Sequence, residues 1–68
     1  MKVFTVMFHT GSQDVIVNVF SSEVAAKECA EDCAATLYPA NKFGWNGHFL
    51  TCEGRYEEWS VQEWTVKE

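Results

Sequence analysis

Residues 3–9 alternate without interruption: Phe4, Val6 and Phe8 share one parity, and Val3, Thr5, Met7 and His9 the other. Successive side chains of an extended chain point to opposite faces, so this run reads as a β-strand whose register is set by its apolar parity. Gly11-Ser12-Gln13-Asp14 is a cluster of turn formers, and Val15-Ile16-Val17-Asn18-Val19-Phe20 is β-branched and strand-like. Together they predict an antiparallel hairpin. Because Ile16 and Phe20 oppose Val15, Val17 and Val19, both of its faces carry apolar groups.

The pattern then changes period. Either Ser21 or Ser22 can cap a helix, and Glu23 suits the positive end of its dipole. Ala26, Cys29, Ala30, Cys33, Ala34 and Leu37 fall on one stripe at helical spacing, with Lys27, Glu28, Glu31 and Asp32 opposite. The spacing predicts a helix from Ser22 to Leu37, stopped by Pro39. Its small residues would let it sit close to a sheet. Asn46-Gly47 signals a type I′ turn, so Phe43-Gly44-Trp45 is expected to pair briefly with His48-Phe49-Leu50. Residues 48–52 read as the third principal strand, Glu53-Gly54 as a turn, and 56–61 as the fourth strand. From Trp59 and Val61 to Trp64 and Val66 the apolar parity changes, which predicts a bulge near Gln62-Glu63. The expected fold is α+β: ββαββ, an antiparallel four-stranded sheet with one helix packed on a face, in a single domain covering 1–68.

A chain of 68 residues buries only about 60% of the surface its unfolded form exposes, so there is little room for an enclosed substrate pocket. Disorder is excluded by composition, since 47% of residues are apolar and 15% aromatic. Three Trp are many for so small an interior, and some aromatic surface is expected to be exposed or shared with a partner. The apolar start, Met1 to Phe8, is too short and too alternating for a signal peptide, and no run approaches the about 20 apolar residues that span a bilayer. Cys29, Cys33 and Cys52 form an odd set without framework spacing, pointing to reduced thiols in a cytoplasmic setting.

Chemistry has few candidates. Cys29-x3-Cys33 with His48-x3-Cys52 is the one set that could suit tetrahedral zinc. The helical pair sits in the apolar stripe, where cysteine acts as a small hydrophobe, so the expectation is no metal and no cofactor. A thiol nucleophile would need His9 or His48 beside it, and nothing in the spacing supports that. Glu57 and Glu58 are neighbours on a strand and point to opposite faces, so they cannot flank one scissile bond. No glycine-rich loop precedes a helix. The chain is not expected to be an enzyme.

Charge is the remaining signal. Ten carboxylates stand against five basic side chains, a net charge of −5. Nine of the ten gather in Glu23, Glu28, Glu31 and Asp32, and again in Glu53, Glu57, Glu58, Glu63 and Glu68, with Tyr56, Trp59 and Trp64 among the latter. Such a balance disfavours binding to DNA, RNA or anionic lipid, because the phosphate attraction has the wrong sign. A basic protein surface is the natural complement, with aromatic residues rimmed by charge as its anchors. The candidate partner-binding residues are therefore Glu28, Glu31, Asp32, Glu53, Glu57, Glu58, Glu63, Tyr56, Trp59 and Trp64.

A hairpin over Met1–Phe20, a helix opening at Ser21-Ser22-Glu23-Val24-Ala25-Ala26 and an aromatic-rich strand pair over His48–Glu68 resemble small phage-encoded inhibitors. These include anti-CRISPR proteins and phage inhibitors of host RNA polymerase. The resemblance implies a stoichiometric inhibitor acting in the cytoplasm of a bacterial host cell, where its carboxylates would stand in for backbone phosphates on a nucleic-acid-handling surface. It carries over no individual functional residue.

Overall fold

The computed structural model describes residues 1–67. Glu68, counted above with the C-terminal acids, lies outside the described residues. The elements run β1 (Lys2–His9), β2 (Asp14–Phe20), α1 (Glu23–Leu37), β3 (Phe43–Asn46), β4 (Phe49–Cys52) and β5 (Glu58–Thr65). All five strands join one antiparallel sheet in the order β2-β1-β5-β4-β3, and α1 covers one face. The fold is α+β as expected, but with five strands in place of four. The difference lies in 43–46: Gly47, at φ 65°, closes a tight turn that keeps all four residues of β3 paired with β4.

Ser22 caps α1, its Oγ accepting from the Ala25 amide at 3.3 Å. The helix ends at Tyr38, whose amide donates to the Ala34 carbonyl ahead of Pro39. Ala26, Ala30 and Ala34 are completely buried and allow close approach to the sheet. They meet Phe4, Val6, Leu50, Cys52, Trp59 and Val61. Cys29 and Cys33 are only partly buried, and Leu37, expected on the buried stripe, is 51% exposed. Leu37 instead borders an open groove with Phe8, Val17 and Trp59.

The bulge expected at Gln62-Glu63 is absent. β5 pairs with β1 in unbroken register from Lys2↔Thr65 to His9↔Glu58. Plain alternation sends Trp59 and Val61 to the helix side and Trp64 to the other face. The parity change in the sequence marks apolar groups on both faces, with no extra residue. The irregularity falls instead between β1 and β2, where Val17 has no partner between the pairs Val6↔Asn18 and Met7↔Ile16.

Candidate binding site

The structure disperses the C-terminal acids. Glu53 is exposed in the β4–β5 connection, closed by Gly54 at φ 80°. Glu57 accepts a hydrogen bond from the Tyr38 hydroxyl. Glu58 sits across from His9, on the face away from the helix. Glu63 pairs with Lys2 at 3.5 Å, at the other end of β5. Of the three aromatic residues placed among them, Trp59 is 2% exposed, stacked on Phe8 at 4.8 Å with Tyr38 edge-on at 6.3 Å. It is a core residue and not an exposed anchor. Tyr56 lies on the surface near Gly11, and Trp64 is half exposed on the open sheet face, its indole N–H donating to Thr5 Oγ1 at 2.9 Å.

The helix acids stay together. Glu28 and Asp32, one turn apart, are exposed and have no ion pair or hydrogen bond among the described residues. Glu31, between them, accepts from the Trp45 indole N–H at 2.8 Å. Glu23 is neutralised by Lys27 at 3.0 Å. Asp32 stands on the rim of an apolar groove of about 440 Å³, formed by Phe8, Val17, Cys33, Thr36, Leu37 and Trp59. The sequence reading missed this groove, because it joins three strands with the last turns of the helix. A second depression, of about 490 Å³ near the start of α1, is bordered by Glu23 and Glu63, both already paired with lysines.

One constellation outside the predicted set has the atom pattern of a catalytic triad. Asp14 Oδ1 lies 2.7 Å from His9 Nδ1, and His9 Nε2 lies 2.7 Å from Ser60 Oγ. Nucleophilic use would require a reachable Oγ. Ser60 is completely buried, and neither cavity is lined by it or by His9. The relay therefore acts as a clamp between β5, β1 and β2. Facing positions of a hairpin made the His9–Asp14 pair readable from sequence; Ser60, 51 residues away, was not.

The cysteine and histidine set does not converge. Among the described residues no three Cys, His, Asp or Glu groups are placed to share a metal ion. Cys52 is buried in the core, while His48 is exposed and packs on Phe49 at 4.6 Å. Burial pushes the Cys29 thiol above its ordinary range, helped by the adjacent Cys33 and the charge of Asp32. Burial raises Cys52 as well, with Glu57 adding and Arg55 opposing. Both are more protonated than free thiols, the reverse of what activates a nucleophile. The Glu57 hydrogen bond raises the Tyr38 hydroxyl, with burial and the Glu57 charge behind it.

Comparison with known protein families, characterised proteins and solved structures finds no match for this chain. No helix among the described residues is long and apolar enough to cross a membrane.

Proposed function

We propose that this chain is a stoichiometric inhibitor of the anti-CRISPR type, binding a basic nucleic-acid-handling surface of a host protein complex through the acidic side of α1. The observation carrying this reading is the pairing of unneutralised carboxylates with an apolar groove: Glu28 and Asp32 have no cation among the described residues, and Asp32 borders the groove lined by Leu37. Lysine or arginine side chains of a partner complement the acids, and an apolar side chain between them fills the groove. The helix acids are the principal contact, because the C-terminal acids are scattered and two of them are engaged within the chain.

The test is competition. Purified CRISPR effector complex is mixed with its nucleic acid and increasing amounts of this protein, with bacterial RNA polymerase as the parallel bait. The expected result is loss of the bound nucleic acid at about one equivalent. Binding should weaken as salt rises, because charge attraction is screened over about 8–10 Å. Reversing Glu28 and Asp32 together to lysine should slow association about tenfold or more. A ternary complex on a native gel, or binding indifferent to salt, would refute phosphate mimicry.

A further inference from the structure

The sheet face turned away from α1 carries an apolar patch where an open antiparallel sheet would ordinarily be polar. By register the patch is Val3 and Met7 from β1, Ile16 and Val19 from β2, Trp64 from β5 and Phe49 from β4, set among uncharged polar side chains such as Thr5, Ser60 and Gln62. Ile16 is 60%, Val19 50% and Trp64 51% exposed. The indole of Trp64 is already held against β1 by its bond to Thr5, so its ordering on association costs little.

We infer that this face is the contact between two copies of the chain, packed sheet to sheet with the helices outside. Charge selects the occupant. The face is uncharged except at one end, where Asp14 and Glu58 flank His9, and the unpaired acids of α1 point away on the opposite layer. A basic partner finds no complement here. A second copy finds an uncharged match, with its helix acids beyond the screening length of about 8 Å at physiological salt. A two-fold axis lying across the strands sets Val19 of one copy over Ile16 of the other. It also places each Asp14–Glu58 end over the uncharged end of its neighbour.

Size is consistent with a reversible dimer. Three long and two short strands at 4.8 Å spacing give about 500 Å² per copy, or about 1,000 Å² in all, at the lower bound for a specific interface. The two free edges of the sheet do not compete: β3 is only four residues long. At β2 the unpaired Val17 bends the strand, and the Val19 amide is taken by Asn18 Oδ1 at 2.8 Å, two features that discourage strand addition.

The inference is separate from the proposed inhibition, since the two use opposite layers. Sedimentation equilibrium should give a monomer–dimer equilibrium with a dissociation constant on the order of 10–100 µM, strengthened or unchanged by added salt. Ile16→Glu and Trp64→Glu should each weaken the dimer about tenfold or more while leaving the circular dichroism spectrum intact. If one variant fails to fold, the other decides. Glu28→Gln with Asp32→Asn should leave the dimer unchanged. A chain that stays monomeric to millimolar concentration overturns the inference. So does a dimer that survives both sheet-face substitutions, or one dissolved by the helix-face pair.

Discussion

The His9–Ser60 hydrogen bond yields a prediction that separates structural from catalytic use of the relay. Ser60→Ala removes the hydroxyl and leaves His9 Nε2 without its partner in a largely buried position, the His9 side chain being 19% exposed and Ser60 completely buried. Leaving one such buried group unsatisfied costs about 1–3 kcal/mol. In a domain of this size each kcal/mol corresponds to roughly 4–8 °C of melting temperature, so a fall of about 8–16 °C is expected for a cost of about 2 kcal/mol. His9→Phe keeps a ring near Phe49 but strands the Ser60 hydroxyl, with a cost of similar size. The double variant removes both polar groups, so its cost should fall short of the sum by about 1–2 kcal/mol. Asp14→Asn should lose no more than about 1 kcal/mol, because its side chain is 65% exposed and solvent screens the pair. Urea titrations at neutral pH measure all four. Strict additivity of His9→Phe and Ser60→Ala would refute the clamp. Turnover of an activated ester that disappears in Ser60→Ala would refute it from the other side.

Trp59→Ala deletes the largest buried side chain and should cost about 3–5 kcal/mol, which most of a domain this small cannot lose and stay folded; a cooperative melt near that of the parent chain would contradict its central place. Stability should hold up to about pH 9 and then decline. The Cys29 and Cys52 thiols sit above 9.0 in the fold, so the native state keeps protons that the unfolded chain releases; stability is complete below 9.0 and lost as pH rises through the higher native values. Cys52→Ala should flatten the early part of that decline, and Tyr38, raised above 10.0, adds a later one. Denaturant midpoints between neutral pH and pH 11 show whether the slope has this sign.

Much of this molecule is governed by near neighbours in the chain, and that part was readable. The parity of Phe4, Val6 and Phe8, the Ser22 cap, the stop before Pro39 and the turns at Gly47 and Gly54 each depend on residues within a few positions. Local dihedral preferences and period suffice to decide them. The acidic surplus and the apolar groups on both faces of the first hairpin were equally plain. Strand order was not. β5 enters between β1 and β4, and its pairing with β1 spans most of the chain, where no local preference operates. That insertion buries Trp59, turns Trp64 to the open face, brings Ser60 to His9 and forms the groove beneath Asp32. It also separates Glu57, Glu58 and Glu63, which a one-dimensional reading had grouped. Alternation assigns a side chain to a face, but only the completed sheet decides whether that face lies under the helix or in water.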